Sequence, residues 1–416
     1  MLPALFRLLH FLNPYFLFLI CHFPNSFLPT FVTQHYPDML LLSGPNIAGN
    51  EWKYVKDCLD TGWVSSVGAY VDQFEKMSAA FAGTKYAVAT SSGTTALHIC
   101  LVMMGVNEND YVITSNITFI ATCNSIKYTG ADPILIDADP QTWQMDLGLL
   151  EEFLENETEQ RDGHCHYKKD GRRIPVIMPV HVLGNMCDMD RLMALANKHH
   201  IIVIEDSTEA LGSYYKDKHA GSFGLLGTFS YNGNKIVTTG GGGMIVTDDE
   251  ALAKKAKHLT TQAKSDPFEY IHDEIGYNYR LVNVAAAMGV AQMEQLPSFL
   301  QRKQEIIAFY KNELNGCGDI GFQEITPGVK PNWWLPTIKT DKQKGLLNIL
   351  NENKMQSRPF WMPMNQLVMF KENIFYNKNN CSDHIYHRCL SIPCSTNITD
   401  EQLKAVSEKI KEGMGS

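Results

Sequence analysis

A single lysine in a long uncharged stretch is the first residue that points to chemistry. Residues 221–247 contain one charged side chain, Lys235, which lies between two strand-like runs and before four successive glycines, Gly240 to Gly243. Poor hydration lowers the pKa of an ammonium group and so favours the neutral amine. A neutral amine is a nucleophile that can form a Schiff base with an aldehyde. The glycines would let backbone approach a bulky ligand closely. Because most lysines are exposed, an ordinary loop lysine is the alternative at this point.

Two other polar clusters directly follow apolar, strand-like runs. Residues 91–97 read SSGTTAL, and their hydroxyl and amide groups would open a helix N-terminus, which favours phosphate. Plain helix capping is the alternative for this cluster. Asp206 ends the run IIVIED, where a carboxylate could hold a protonated heterocyclic nitrogen, with a helix N-cap as the alternative.

These three features together indicate a site for pyridoxal 5′-phosphate (PLP). In chain order they supply a phosphate cradle, a partner for the pyridine nitrogen and a hidden lysine, Lys235. Hydroxyl groups and a lysine could also serve a nucleotide. Asp206 argues against that reading, because a carboxylate repels phosphates unless a metal ion intervenes, and we expect no metal site.

Alternating strands and helices must position these residues. Such alternation predicts an α/β fold, with a mainly parallel sheet covered by helices on both faces. Ligands bind at the carboxyl ends of the strands in such a sheet, where all three clusters would lie. Asn50 is expected to cap a first helix that ends at Leu59. The predicted strands cover residues 86–90, 111–114, 133–137, 176–182 and 201–204, and further helices cover residues 70–81, 94–104, 119–128, 147–154 and 189–199.

The C-terminal part predicts a smaller α+β domain. A long helical region begins at Asn283, breaks near Pro297 and ends near Leu314. Predicted strands 334–338 and 390–393 alternate with helices 342–352 and 400–411, the last with Thr399 and Gln402 as a capping box. We therefore divide the chain into an apolar leader (1–38), a large PLP-binding domain (39–290) and a small C-terminal domain (291–416).

Composition narrows the class of protein. The 416 residues carry a net charge of −9 with no basic block, which argues against nucleic acid as a partner. Ten scattered cysteines fit reduced thiols in the cytoplasm better than a disulfide framework. Residues 1–31 are apolar, yet prolines interrupt them and a signal-peptide cleavage pattern is not evident. We interpret them as lying before a natural start at Met39, with a membrane-associating leader as the alternative.

At the level of motifs, the chain resembles the nucleotide-sugar aminotransferases of the DegT/DnrJ/StrS family, which have the type I PLP-transferase fold. The resemblance runs from about Leu42 to the C-terminus. It is similar above all to the branch that aminates UDP-linked 4-keto-6-deoxy sugars on routes to bacillosamine and legionaminic-type acids. The motifs that carry it are GWVSSVG (62–68), SGTTALH (92–98), TFIAT (118–122), EDSTEALGS (205–213), FSYNGNK (229–235) and GYNYRLVN (276–283).

The resemblance implies a role for each matching residue. Lys235 matches the lysine that holds the cofactor, and Asp206 matches the partner of its pyridine nitrogen. The other implied cofactor contacts are a stacking ring, Phe119, and the phosphate-binding Gly93, Thr94 and Ser230, together with Asn278 from the neighbouring subunit of a homodimer.

Three matching positions carry less information. Glu209 stands where many members have histidine or glutamine, and Gly241 stands where many have glutamate. For Phe119, core packing is the alternative. We interpret His181 and the pair Trp333–Trp334 as structural.

The implied reaction moves an amino group from L-glutamate to the keto carbon, C4, of a nucleotide-activated 4-keto-6-deoxy sugar, for surface polysaccharide or nonulosonic-acid biosynthesis. A sugar dehydratase of the same fold is the first alternative, although that branch has histidine in place of Lys235. A regulator that binds sugar nucleotides without turnover is the second. A protein anchored to a membrane by its leader is the third.

Overall fold

The structure is a computed structural model that describes residues 39–266 and 268–415. The predicted leader, residues 1–38, lies outside the described residues. Among the helices of the described ranges, none is both long enough and apolar enough to cross a bilayer.

Eleven helices and nineteen strands make up the described part of the chain. The helices are α1 (Glu51–Thr61), α2 (Ala69–Ala82), α3 (Gly93–Met103), α4 (Ala121–Tyr128), α5 (Leu147–Asn156), α6 (Met189–Lys198), α7 (Glu250–Thr260), α8 (Asn283–Glu313), α9 (Gln343–Glu352), α10 (Cys381–Arg388) and α11 (Asp400–Met414). The strands are β1 (Tyr86–Thr90), β2 (Asp110–Ser115), β3 (Asp132–Ile136), β4 (Thr158–Arg161), β5 (His164–Tyr167), β6 (Arg173–Met178), β7 (Ile202–Asp206), β8 (Tyr214–Tyr215), β9 (Lys218–His219), β10 (Leu226–Ser230), β11 (Gly243–Thr247), β12 (Lys264–Asp266), β13 (Ile271–His272), β14 (Gly321–Phe322), β15 (Val329–Lys330), β16 (Thr337–Lys339), β17 (Arg358–Pro359), β18 (Ile374–Tyr376) and β19 (Cys389–Ser391).

A ten-stranded, mainly parallel sheet forms the centre of the fold, as the sequence predicts. Its order is β1-β11-β10-β7-β6-β2-β3-β18, and the hairpin β4–β5 joins at β6. The pairs from β10 to β18 are parallel, whereas β11 runs antiparallel to both of its neighbours. The carboxyl ends of β1, β7 and β10 therefore lie at one edge of the sheet, where the three polar clusters follow them.

Most predicted elements are confirmed to within a few residues, but four details are wrong. Asn50 stands at the N-cap of α1 without capping it, since its side-chain amide donates to Glu294 instead. The strand predicted at 176–182 ends at Met178, and a 3₁₀ turn, Val182–Gly184, follows. The strand predicted at 334–338 is β16, shifted towards the C-terminus. The helical region is one continuous helix, α8, that contains Pro297.

Helix α8 connects the main sheet to a second, four-stranded sheet of order β14-β16-β19-β17. The buried residues along α8 pack in one apolar cluster with side chains from both regions, such as Phe74 and Leu390. The predicted domain boundary at residue 290 falls inside this helix and stays a prediction. The second sheet brings β17 and the segment before β16 to the polar edge of the main sheet.

Candidate active site

One cavity of about 360 Å³ lies at the polar edge of the main sheet. Five of the site residues predicted from the sequence line it: Gly93, Thr94, Phe119, Ser230 and Lys235. They come from four different parts of the main sheet region, namely the start of α3, the loop before α4, the end of β10 and the turn that follows β10. The fold thus brings together residues that lie more than a hundred positions apart in the sequence.

Lys235 is held in a turn after β10, in which its amide donates to the Asn232 carbonyl over 3.0 Å. Its Nζ lies 3.6 Å from the ring centroid of Trp334, and the Trp334 indole is itself fixed by a 2.7 Å hydrogen bond to the Asn234 carbonyl. Enclosure by protein lowers the pKa of Lys235, while the nearby carboxylates of Glu209 and Asp206 oppose that shift. The amine is therefore closer to its neutral, nucleophilic form than an exposed lysine would be.

Asp206 ends β7 and is buried behind the wall of the cavity. Its Oδ2 accepts a 2.6 Å hydrogen bond from the Thr122 hydroxyl, and its Oδ1 accepts bonds from the Thr208 amide and hydroxyl. No helix begins within the described residues that directly follow β7, so the N-cap alternative for Asp206 is wrong. Two threonines instead fix both carboxylate oxygens, and this leaves the side chain in one orientation.

Glu209 lines a small recess next to the main cavity, together with Lys235 and Ser230. Its Oε2 accepts a 2.8 Å hydrogen bond from the Leu183 amide. Burial raises the pKa of Glu209 to about 7, although the positive charge of Lys235 opposes this. Glu209 is thus a buried carboxyl group beside the amine of Lys235, and its raised pKa favours the protonated form.

The start of α3 caps its own helix and also lines the cavity. Ser92 and Thr95 form a reciprocal capping box, which confirms the capping alternative. Gly93 and Thr94 nevertheless line the cavity. A Cβ atom on Gly93 would lie 2.9 Å from Ser230 Cβ, so only glycine lets this helix approach the end of β10 so closely.

The glycines that follow Lys235 have two different roles. Gly241 and Gly242 line the cavity, in agreement with the predicted close approach of a ligand. Gly243 serves the protein backbone instead, since a Cβ atom there would lie 2.2 Å from the Ser92 carbonyl oxygen. Part of the glycine run is therefore explained by the close packing of β11 against the start of α3.

The ring of Phe119 faces the cavity. Phe119 is 54% exposed in the single chain, which does not fit core packing. An exposed aromatic ring in a cavity offers a flat surface on which a planar ligand could stack.

Asn278 is the one predicted site residue that lies apart from the others. It is exposed, it is absent from the lining of the cavity in its own chain, and its backbone pairs with Thr261. The sequence also allows Asn278 to cap the helix that follows it and Arg280 to form a surface ion pair, and both alternatives are wrong. Val282 rather than Asn278 occupies the N-cap of α8, and Arg280 forms a buried ion pair with Glu75 instead of a surface pair.

Among the residues of the cavity wall that sequence reasoning missed are Trp334, Trp361 and Arg358. We interpreted Trp334 as structural, yet its ring covers Lys235 and stacks on Trp361, with 6.4 Å between the ring centroids. A tryptophan pair in a polar segment is the only signal that could have drawn attention to it. His181 is structural as expected, since its Nε2 lies 2.9 Å from Oε2 of the buried Glu205.

The residues at this site fit PLP. They offer an amine with a lowered pKa, a fixed carboxylate, a helix N-terminus that can hold a phosphate group, and an exposed aromatic ring. Gly93 and Ser230 pack closely against each other. The Gly93 amide and the Ser230 hydroxyl therefore lie at the same end of the cavity.

Comparison with protein families and known proteins agrees with this chemistry. The model of the DegT/DnrJ/EryC1/StrS aminotransferase family matches residues 45–411. GDP-perosamine synthase of Escherichia coli O157:H7 is 38% identical over 371 residues, which cover 88% of this chain and 96% of that protein. The spore coat polysaccharide biosynthesis protein SpsC of Bacillus subtilis is 30% identical over 404 residues, covering 92% and 98% of the two chains.

Solved structures show the same fold. DesV of S. venezuelae, in complex with a ketimine intermediate, has a TM-score of 0.79 at 25% identity, covering 88% of this chain and 95% of that chain. The PLP form of Spr1654 from Streptococcus pneumoniae has a TM-score of 0.81 at 24% identity, covering 91% and 99%. The type I fold predicted from the sequence is confirmed by these neighbours.

Proposed function

The chain belongs to the DegT/DnrJ/EryC1/StrS aminotransferase family, and from that premise we propose that it transfers the amino group of L-glutamate to C4 of a nucleotide-linked 4-keto-6-deoxy sugar. Enzymes of this family are PLP-dependent sugar aminotransferases. The names of its relatives, GDP-perosamine synthase and a spore coat polysaccharide protein, support a nucleotide-linked amino sugar as the product and a surface glycan as its destination.

The observation that carries the proposal is the joint placement of Lys235, the start of α3 and Phe119 around one cavity. In the proposal Lys235 would hold the cofactor through Nζ, and Gly93, Thr94 and Ser230 would hold its phosphate. Phe119 would offer a surface for the ring, and Asp206 would be the partner of the ring nitrogen. PLP, when bound, supplies a ring that accepts the electron pair released at the amino carbon.

Lys235 does the proton chemistry in this mechanism. Burial lowers the pKa of Lys235, and this favours the neutral amine that can act as a base. Once the amino group of the donor has replaced Nζ on the cofactor, the free Nζ would accept a proton from the amino carbon of the donor, and in the second half of the reaction it would deliver one to the sugar carbon. Trp334 lies over Nζ, with 3.6 Å to its ring centroid, and covers one side of the amine.

Asp206 and Glu209 have different tasks because their surroundings differ. The threonine hydroxyls that donate to Asp206 hold its carboxylate in place, so it can retain the proton on the ring nitrogen. Glu209, bound to the Leu183 amide, lies beside Lys235 and compensates its charge when Nζ is protonated.

We also propose that the enzyme is a homodimer whose two sites lie at the interface, each with Asn278 from the partner chain. The exposed Asn278, whose side chain has no hydrogen bond to another described residue, supports this arrangement. A cytoplasmic location is part of the proposal, and it is supported by reduced thiols in the described ranges, such as those of the buried Cys100, Cys123 and Cys187.

The test is a panel of UDP-, GDP- and dTDP-linked 4-keto-6-deoxy sugars incubated with L-glutamate, with the products identified by NMR. The proposal expects an amine at C4 of at least one sugar and the matching appearance of 2-oxoglutarate. L-Alanine in place of L-glutamate provides a donor control. Release of water from the sugar at C3 without a new amine would favour the dehydratase instead.

A further inference from the structure

The wall of the cavity carries two cations and no carboxylate among the described residues. Lys235 lies at its base, and Arg358 is the other charged side chain that lines it. The remaining wall consists of hydroxyl, amide, glycine and apolar groups, including Trp334 and Trp361. Since Lys235 is assigned to the chemistry, Arg358 is a permanent positive charge with no task in the mechanism.

Arg358 differs from the other arginines of the described ranges. Each of the others forms an ion pair with a carboxylate, namely Arg161, Arg172, Arg173, Arg191, Arg280, Arg302 and Arg388. Arg358 forms none with a described carboxylate. Its one hydrogen bond runs from Nη1 to the neighbouring Ser357 carbonyl, over 3.0 Å. Most of its donor groups are therefore free for a ligand.

The backbone holds Arg358 at the cavity although its side chain is exposed. It begins β17 and pairs with Ser391 of β19, which also lines the cavity. Two residues later Phe360 is buried, and its ring packs edge-on against Trp143 with 5.7 Å between centroids. The strand is thus anchored at Arg358 and at Phe360, and these contacts set the position of the Arg358 backbone at the cavity.

We propose that Arg358 binds the side-chain carboxylate of the amino donor and so selects an amino acid with an acidic side chain. This inference rests on the proposed function. A guanidinium presents two parallel N–H groups that match the two oxygens of a carboxylate, and such charge-assisted pairs are stronger than neutral hydrogen bonds. Amino donors with an uncharged side chain would leave Arg358 without that partner.

The size of the cavity favours the donor over the nucleotide as the occupant. Ligand cavities usually span about 300–1,000 Å³. This one holds about 360 Å³, and PLP would fill part of it, so the space that remains suits an amino acid better than a nucleotide. A nucleotide would have to extend out of it. The diphosphate of the acceptor is the other anion that could meet an exposed arginine, and the experiment distinguishes the two.

The test measures binding by calorimetry to the PLP-loaded enzyme, with glutarate as an unreactive dicarboxylate and with GDP and UDP as diphosphate probes. Arg358→Met is expected to weaken glutarate binding by roughly 10- to 100-fold, the range for a hydrogen bond between charged groups, and to leave GDP and UDP binding unchanged. Arg358→Lys should restore part of the affinity. Lys344→Met, which removes an exposed charge from α9, should bind all probes like the wild type.

Three results would overturn the proposal: no binding of glutarate to the wild type, equal binding by Arg358→Met, or a loss confined to GDP or UDP. The last would assign Arg358 to the diphosphate. The rate of the donor half-reaction, followed by the cofactor spectrum, adds a second readout, in which Arg358→Met should raise KM for L-glutamate more than it lowers kcat. Because glutarate binding requires no sugar, a failure of the sugar panel would not be mistaken for a failure of this inference.

Discussion

The amine of Lys235 lies against the face of the Trp334 indole, with 3.6 Å between Nζ and the ring centroid. A cation over an aromatic face gains roughly 0.5–2 kcal/mol, depending on how far it is desolvated. The contact holds the lysine side chain over the cavity floor without a hydrogen bond to another described residue. The amine therefore stays available to react, and this contact sets its position in the cavity.

Replacement of Lys235 tests whether this amine holds the cofactor. The purified wild type is expected to be yellow, with an absorbance band that borohydride removes. Lys235→Ala should lose turnover, since no other amine lines the cavity among the described residues, but it could keep loosely bound PLP. Lys218→Ala is the matched control, because Lys218 also lies over an aromatic ring, Phe223, but is exposed. Normal turnover by Lys235→Ala would refute the assignment.

Asp206→Asn tests the charge of the buried carboxylate while preserving its shape. The amide can keep contacts with Thr122 and Thr208 but cannot stabilise a proton on the ring nitrogen. We expect kcat to fall by roughly two or more orders of magnitude, the scale of a lost contact of about 3 kcal/mol in a water-poor site. Steady-state kinetics with bound PLP measured in parallel would check it. An unchanged kcat at full PLP content would contradict the prediction.

Glu209 should make stability depend on pH. Burial raises its pKa to about 7 in the folded chain, above the ordinary value of 4.5. Between these values the folded state binds more protons than the unfolded state, so stability falls as pH rises from 4.5 through 7. Glu209→Gln removes this pH-dependent loss of stability, because glutamine does not ionise. Its free energy of unfolding relative to the wild type should therefore increase from pH 5 to pH 8, by an amount on the order of 1–3 kcal/mol.

Denaturant unfolding of the PLP-free proteins measures this difference. Glu352→Gln is the control, because Glu352 is exposed at the end of α9 and its substitution should give the same difference at both pH values. If Glu209→Gln changes with pH no more than the control does, Glu209 is ionised throughout and the predicted titration is wrong.

Subunit complementation tests the shared site. Lys235→Ala and Asn278→Ala are each expected to be inactive alone. In a mixed dimer one of the two sites would combine the wild-type Lys235 of one chain with the wild-type Asn278 of the other, so part of the activity should return. Native mass spectrometry would confirm that subunits have exchanged. If mixed dimers form without activity, Asn278 acts within its own chain.

Local sequence was sufficient for the main elements and for the residues that follow strands. The capping box of Thr399 and Gln402 and the strand that leads to Asp206 depend on neighbours a few positions away, and both are confirmed. Lys235 could be singled out for the same reason, since the absence of other charges around it is visible in the sequence. The family also follows from such short motifs.

The partners of these residues depended on tertiary structure, because they come from distant segments. The sequence does not reveal that Trp334 covers Lys235 or that Arg358 lines the same cavity, since both approach through the second sheet. Asn50 shows the same limit: it has the residue type of a cap, yet Glu294 of α8 takes its amide. Pro297 is accommodated inside α8, whose buried residues pack along its length. The sequence alone determined which groups could react, and long-range packing decided which of them meet.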